Sequence, residues 1–263
     1  MISLAEYVKG YGLNEIDGHI HLFNHKETLN NPYPYPYKLK VGFMDLEFDV
    51  DELNVRDSYK RYINNYYTDK DILLATSTNI DDIIYLLDTY PEIKGIGELK
   101  CYDKYQDKSL PYKDINFVSD CCQLAKQYNV PIYLHWELNS EEYIKQLKEL
   151  LQRYNDVTIV LCHCGFDNDL DEKIFNEVIG MMSVYNNLWI DISYTALEFF
   201  NWNINKLNIL DGSRVILGTD FNNKLFGANH NPAKETQDII YKLNHVSKYI
   251  DSDTNIKRLF NLT

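Results

Sequence analysis

The sequence predicts an α/β protein built on a (β/α)8 barrel, also called a TIM barrel, in either a regular or a distorted form. Short β-rich runs alternate with longer segments of helical periodicity along a chain of 263 residues. Several of these runs are apolar almost throughout, as is typical of parallel strands covered on both faces. Eight such alternations in about 250 residues fit the size of this barrel.

The eight β-rich runs are the predicted strands. They lie at 14–23, 40–48, 71–78, 92–100, 130–136, 156–164, 187–193 and 214–220. The second run is the weakest of these patterns. Without it the chain would have seven strands, and a distorted barrel would be the better prediction.

The segments between the strands have the periodicity of surface helices. Residues 114–129 and 140–155 are two examples; in the second, Ile144, Leu147 and Leu151 recur at three- and four-residue intervals, as one buried helix face requires. Asp81 and Asp82 follow Asn79, which favours a helix start there. No low-complexity linker or break in composition interrupts the alternation, so residues 1–263 are expected to form a single domain.

The composition excludes several classes of partner. A formal net charge of −13 disfavours binding to nucleic acid or to an anionic membrane surface. No segment approaches the roughly 18 apolar residues of a membrane span, and no secretion signal is visible. The five cysteines show no CxxC spacing, which favours free thiols in a reducing cytoplasm. A small-molecule substrate is the expected partner, and the oligomeric state is not predicted.

The stretch IDGHIHLF at 16–23 places two histidines in the first predicted strand. Residues i and i+2 of a strand point to the same side, so His19 and His21 face one way. Other polar residues stand at the ends of later apolar runs: Glu98, His135, His163 and Asp220.

The spacing of these residues follows the strand–helix repeat. His135 and His163 are 28 residues apart, which is one strand–helix unit. His163 and Asp220 are 57 apart, close to two units, and His21 and Glu98 are 77 apart, close to three. All six groups therefore fall at the carboxyl ends of strands, on the face that carries the active site in barrel enzymes.

Four imidazoles and two carboxylates on one face predict a site for a divalent metal, most simply Zn²⁺. Taken singly, each residue has an ordinary structural explanation. A lone histidine in a strand is usually a hydrogen-bonded core residue, and Asp220 would cap a following helix. The regular spacing of the whole set favours the metal site.

The motifs DGHIHLF, GIGELK, YLHW, LCHCGF and LGTDF span residues 17–221 in this order. This set resembles the amidohydrolase superfamily of metal-dependent barrel hydrolases, and most closely its TatD-like and amidohydrolase 2 branches. The resemblance implies that His19, His21 and Asp220 bind one metal ion. It further implies that Glu98 bridges to a second ion, which His135 and His163 complete.

The metal count stays open at this stage. Many members of the superfamily have a carbamylated lysine where Glu98 stands, and others bind a single ion. Lys100, on the same strand face, is an alternative bridging group, but a carboxylate already present needs no modification. With one ion only, His163 would instead orient the attacking water or stabilise an oxyanion.

The expected activity is hydrolysis of an amide, ester, lactone or phosphoester by a metal-activated water, with Asp220 as the proton shuttle. The first alternative is a metal-dependent lyase, either a decarboxylase or a hydratase. The second is a non-catalytic protein that binds a metal or another ligand on the same barrel.

Several further residues have weaker patterns. The Tyr/Pro stretch at 31–38 is expected to be extended, either as a lid over the site or as a surface crossing. The loop at 222–232 is expected to shape specificity. His230 is a candidate substrate contact, whereas His25 is taken as incidental. Trp136 and Glu137 are candidate pocket residues. The four cysteines Cys121, Cys122, Cys162 and Cys164 are expected to be core residues.

Overall fold

The computed structural model describes residues 16–22, 39–44, 55–65, 67–69, 71–101, 115–166, 171–220 and 232–262. Within them, eight strands form one parallel sheet whose spatial order follows the chain. They are β1 (Ile16–Leu22), β2 (Leu39–Met44), β3 (Asp71–Ala75), β4 (Ile93–Lys100), β5 (Ile132–His135), β6 (Ile159–Leu161), β7 (Leu188–Ile192) and β8 (Val215–Leu217).

Helices follow or precede most of the strands. They are α1 (Val55–Asn65), α2 (Ile80–Thr89), α3 (Ile115–Tyr128), α4 (Glu141–Arg153), α5 (Glu172–Val184), α6 (Tyr194–Trp202), α7 (Pro232–Ser247) and α8 (Ser252–Leu259). In the described part of the chain, three short 3₁₀ helices lie at Cys162–Gly165, Ile204–Ile209 and Gly212–Arg214.

The sheet is nearly closed, because the chain after β8 lies directly beside β1. The backbone N–H of Asp220 donates to the carbonyl of His19 over 2.9 Å. Gly218 permits this approach: a Cβ there would lie 2.4 Å from the Cβ of His19. The predicted (β/α)8 barrel is confirmed. The weak second run is strand β2, so the seven-strand alternative is wrong.

Alternate residues of each strand enter two different apolar layers, as the period of a strand requires. The outer layer, between strands and helices, includes Leu73, Ile96, Leu134, Leu161 and Ile190. The inner layer, inside the barrel, includes Val41, Leu74, Tyr133, Val160 and Ile216. Residues at the carboxyl ends of the strands follow the same alternation, which decides which of them face the centre of the barrel.

The predicted helix signals are also present. The Asn79 side chain accepts a hydrogen bond from the Asp81 N–H and caps α2. On α4, Leu147 and Leu151 are fully buried and Ile144 is partly buried, as the periodicity predicted.

Within the described ranges, none of the helices has both the length and the apolar character needed to span a bilayer. The assignment of residues 1–263 to one domain stays a prediction.

Tyr133 brings a polar group into the apolar inner layer of the barrel. Its ring stacks on Phe260 with centroids 6.5 Å apart, and its buried hydroxyl has no hydrogen-bond partner among the described residues. A buried polar group without a partner costs about 1–3 kcal/mol. Tyr133→Phe is therefore expected to raise the free energy of unfolding by about 1 kcal/mol, measured by urea denaturation.

The matched control is the same substitution at Tyr59. The Tyr59 hydroxyl donates to the carbonyl of Leu74 and accepts from the Thr76 N–H over 2.9 Å. Tyr59→Phe should therefore destabilise the protein. A comparable loss of stability in Tyr133→Phe would contradict the prediction and show that its hydroxyl is hydrogen-bonded in solution.

Candidate metal centre

Strand β1 directs His19 and His21 to the inner side of the barrel. Ile20, between them, packs in the outer layer, so the two histidines share the opposite side. His19 is fully buried and His21 is 6% exposed. The two rings lie 5.7 Å apart at an interplanar angle of 52°.

Asp220 meets both histidines from the segment after β8. Its Oδ1 atom lies 2.8 Å from Nε2 of His21 and 3.2 Å from Nε2 of His19. Its backbone has φ of 55°, in the left-handed region that non-glycine residues rarely adopt. Such a conformation costs roughly 1–2 kcal/mol, and the bond from its N–H to His19 holds it in place.

Glu98 points from β4 into the space between the histidines. Leu99 packs in the outer layer, so Glu98 faces inward. Gly97 is required before it, because φ is 115° there and a Cβ would lie 2.4 Å from the carbonyl oxygen of Tyr133. Glu98 is 2% exposed.

The two oxygens of Glu98 face different histidines. Oε1 lies 2.9 Å from Nδ1 of His135 and 3.3 Å from Nε2 of His163. Oε2 lies 3.9 Å from Nε2 of His21. Oε1 also lies 3.8 Å from Nε2 of His19, so this one carboxylate lies between all four histidines of the cluster.

His135 and His163 complete the cluster. His135 is the last residue of β5, and its side chain is 18% exposed. His163 lies in the 3₁₀ helix after β6, with φ of 53°, and is 2% exposed. The His163 ring lies 4.5 Å from that of His135 and 4.9 Å from that of His19. The structure thus brings all six sequence-predicted residues together.

The carboxylates of the cluster are held ionised. Burial alone would raise the pKa of Glu98, but His135, His163 and His19 together hold that pKa well below its usual range. Burial likewise acts to raise the pKa of Asp220, and His163, His19 and His21 outweigh it and lower that pKa. The cluster therefore holds two negative charges in a buried site.

The histidines differ in their preference for a proton. Burial lowers the pKa of His135 to about 4, and Glu98 only partly opposes this. Burial also acts to lower the pKa of His19, but Asp191 and Asp220 outweigh it and raise that pKa well above its usual value. The surroundings of His19 therefore favour a positive charge at this point of the site.

Three polar residues contact the site that the sequence analysis did not predict as part of it. Asp191 of β7 accepts a hydrogen bond from Nδ1 of His19, and Ser193 contacts Nδ1 of His163 over 2.8 Å. Asp17 of β1 accepts from the Thr219 N–H over 3.0 Å, and burial raises its pKa to about 7. The sequence feature that could have indicated two of them is that Asp17 and Asp191 are acidic residues inside otherwise apolar runs.

Of the two predicted pocket residues, Trp136 does not line the site and Glu137 lies at its edge. Trp136 is buried and donates to the Tyr143 carbonyl over 3.0 Å, so its ring joins the helix layer instead of lining the site. Glu137 is buried, with Oε1 4.0 Å from Nε2 of His135, and so lies at the edge of the cluster. Lys100 is the register partner of His135 on the adjacent strand.

All five cysteines are buried and free. Cys121, Cys122 and Cys164 pack in the outer layer, as core residues. Cys162 is also buried, but it faces the barrel interior near His19, because it continues the alternation of β6, in which Val160 is also an inner residue. His25, His230, the stretch at 31–38 and the loop at 222–231 lie outside the described residues.

The donor set fits a divalent metal. Within each of two groups, His19–His21–Glu98 and Glu98–His135–His163, one ligand atom per residue lies within 4.8 Å of the others; His19, His163 and Asp220 form a third such group. Oε2 of Glu98 is buried and has no hydrogen-bond partner among the described residues. A buried carboxylate oxygen in this state is costly unless a cation is bound to it.

Comparisons with solved structures show the same barrel. An amidohydrolase from Burkholderia multivorans with bound zinc is 10% identical, with a TM-score of 0.60 over 94% of this chain and 99% of that one. A protein described as a probable 2-pyrone-4,6-dicarboxylic acid hydrolase from Acinetobacter baumannii, with citric acid bound, is 14% identical, with a TM-score of 0.56 over 94% and 98%.

A third structure is a decarboxylase. The 5-carboxyvanillate decarboxylase of Novosphingobium aromaticivorans, in complex with manganese and 4-hydroxy-3-methoxy-5-nitrobenzoic acid, is 12% identical, with a TM-score of 0.54 over 96% of this chain and 97% of that one. At these identities the similarity establishes the fold alone. The comparison with curated proteins yields no match.

A family model supplies the classification. The model named Amidohydro_2, described as "Amidohydrolase", matches residues 108–261, which include His135, His163 and Asp220. The resemblance to the amidohydrolase superfamily is thereby confirmed, whereas the TatD-like branch stays a prediction. Because the match covers more than half of a chain with the barrel and the clustered histidines described above, this chain belongs to the amidohydrolase family.

Proposed function

We propose that this protein is a metal-dependent hydrolase that cleaves an amide, ester, lactone or phosphoester bond of a small molecule. The observation that carries the proposal is the buried cluster of four histidines and two ionised carboxylates at the carboxyl ends of the strands. This is the face on which barrel enzymes carry their active sites. A cytoplasmic location, and the absence of nucleic-acid or membrane partners, stay predictions.

Two ions are proposed, with Zn²⁺ as the metal. His19, His21 and Asp220 would hold one ion, and His135 and His163 would hold the other, with Glu98 shared between them. Imidazole nitrogens and carboxylate oxygens are the usual zinc ligands of catalytic sites. The zinc in the Burkholderia structure and the manganese in the Novosphingobium structure support a divalent ion in this fold.

A bound divalent ion would lower the pKa of a water ligand and polarise the bond to be cleaved. Asp220 would take a proton from the attacking water, since its carboxylate is ionised and stands beside His19 and His21. It would then deliver this proton to the leaving group. His163 is nearly fully buried and has its ligand atom within 4.8 Å of that of Asp220; with one ion bound, it would orient the attacking water or stabilise an oxyanion.

Metal removal tests this proposal. The purified protein is expected to contain divalent metal, measured by elemental analysis, and to lose activity in a chelator and regain it when Zn²⁺ is added. His19→Ala should lower the metal content, because alanine supplies no ligand. His245→Ala is the matched control: His245 is partly buried and contacts Oδ1 of Asn201 over 2.9 Å, on helix α7 outside the cluster.

Protein that contains no metal, and takes up none on dialysis, would contradict the proposal. Equal metal content in His19→Ala and His245→Ala would exclude His19 as a ligand.

A metal-dependent lyase is the second candidate. The specific observation in its favour is the structural similarity to a decarboxylase in complex with manganese. In that case Asp220 would donate a proton to the substrate carbon instead of accepting one from water. Product analysis separates the reactions: a decarboxylase releases CO2, a hydratase adds water to or removes it from a carbon–carbon bond, and a hydrolase breaks an amide, ester, lactone or phosphoester bond. An active site that turns over no substrate of any of these classes would favour a non-catalytic binding protein.

A further inference from the structure

A hydrogen-bonded chain of four side chains joins His163 to His19. Nδ1 of His163 lies 2.8 Å from Oγ of Ser193. The Ser193 hydroxyl contacts Oδ2 of Asp191 over 3.0 Å, and the same oxygen accepts from Nδ1 of His19. All four residues are 2% exposed or less, so no bulk water competes for these contacts.

The number of protons in this chain fixes their positions. A serine hydroxyl has one hydrogen, and an ionised carboxylate only accepts. Ser193 therefore donates to Asp191, because the reverse would place two oxygen lone pairs against each other. Its oxygen must then accept in the contact with His163, so Nδ1 of His163 carries a proton.

We infer that Ser193 is a positioning residue that fixes the tautomer of His163 and, through Asp191, links it to His19. In the neutral ring, a proton on Nδ1 leaves the lone pair of His163 on Nε2, the nitrogen that faces Oε1 of Glu98 over 3.3 Å. This is the nitrogen that faces the centre of the cluster. Residues that orient a metal-binding histidine in this manner typically change metal affinity by about 10- to 100-fold when they are replaced.

Removal of the hydroxyl should reverse the tautomer. In Ser193→Ala, Nδ1 of His163 loses its acceptor, and Oε1 of Glu98 remains as the neighbouring acceptor among the described residues. The proton is then expected on Nε2, where it forms a hydrogen bond to Glu98. A protonated Nε2 cannot bind a metal ion, so the histidine is lost as a ligand unless the proton moves.

The tautomer is measured in metal-free protein, by long-range ¹H–¹⁵N NMR of ¹⁵N-histidine-labelled samples. A pH about two units above the ordinary imidazole pKa of about 6.5 is suitable. His163→Gln assigns the signal. We expect a protonated Nδ1 in the wild type and in Ser193→Thr, which keeps the hydroxyl, and a protonated Nε2 in Ser193→Ala.

A second measurement concerns the ion, and only this part rests on the proposed function. Titration of each metal-free protein with Zn²⁺ should show one site weakened about 10- to 100-fold in Ser193→Ala and restored in Ser193→Thr. If the wild type binds no Zn²⁺, the proposed function fails, while the tautomer measurement still tests the role of Ser193.

Ser77→Ala is the matched control. Ser77 is also fully buried and follows strand β3; its hydroxyl donates to Asp82 over 3.1 Å and accepts from the Asn79 N–H over 3.1 Å. This variant loses similar hydrogen bonds without touching a histidine, so His163 should keep its tautomer. Ser193 precedes α6, but its side chain does not cap that helix, so Ser193→Ala removes no cap.

Two results would overturn the inference. The first is a wild-type His163 that carries a proton on Nε2 at that pH, either alone or together with one on Nδ1. This result needs no variant and so does not depend on whether Ser193→Ala folds. The second is an unchanged tautomer in a folded Ser193→Ala protein.

Discussion

Asp220→Asn is expected to lower kcat by about 10²–10⁴-fold, the usual contribution of a general acid or base. The asparagine side chain keeps the size of aspartate and one oxygen near His19 and His21, but it cannot accept and return a proton at neutral pH. The fold and most of the substrate binding should persist. Turnover per bound metal ion and KM are the quantities to measure, since a lost ion would otherwise imitate a lost proton shuttle.

The control for this variant is Asp156→Asn. Asp156 is exposed and pairs with Lys126 over 2.8 Å, in the turn that leads into β6, at the opposite end of that strand from His163. It undergoes the same chemical change far from the cluster, and its kcat should match that of the wild type. A kcat near the wild-type value in Asp220→Asn, with the metal retained, would refute the proton-transfer role.

Glu98→Gln is expected to reduce the metal content from about two ions per chain towards one. The reason is that the two oxygens of Glu98 face different histidines, with Oε1 2.9 Å from Nδ1 of His135 and Oε2 3.9 Å from Nε2 of His21. Glutamine lacks the negative charge that would hold two cations close together, and its amide nitrogen is not a metal ligand. Elemental analysis gives the stoichiometry.

The remaining ion should occupy the site formed by His19, His21 and Asp220. Anomalous scattering from crystals of Glu98→Gln would locate it. Glu177→Gln is the matched control: Glu177 pairs with Lys148 over 3.1 Å on the surface, and its replacement should leave two ions bound. Two ions retained in Glu98→Gln, or a single ion in fully reconstituted wild type, would leave a mononuclear enzyme as the better hypothesis.

Much of the fold was predictable because it depends on local patterns. Apolar runs of strand length, separated by helical periodicity, predicted all eight strands, although the structured parts are shorter than the runs. The sixth run, predicted at 156–164, is a strand only at Ile159–Leu161, because the chain turns at Cys162 to place His163. A left-handed conformation at a histidine has no local sequence signal, so this boundary could not be predicted.

The candidate site was predictable where its residues are polar and the strand around them is apolar. His19, Glu98 and His135 are polar groups in apolar strands, and the strand–helix repeat places them on one face. Asp191 has the same signal, but the spacing from His163 to Asp220 passed over its strand. Its role became visible only through a hydrogen bond to His19, which is 172 residues away in the chain.

The sequence by itself determined the class of fold, the face of the barrel on which the polar groups meet, and the kinds of ligand they offer. The tertiary structure decided which atoms face each other: that Glu98 directs its two oxygens to different histidines, and that Ser193 and Asp191 connect His163 to His19. The physical reason is that strand period and burial are local properties of the chain. Hydrogen bonds between β1, β7 and the segment after β8 exist only once the barrel has nearly closed and brought its first and last strands together.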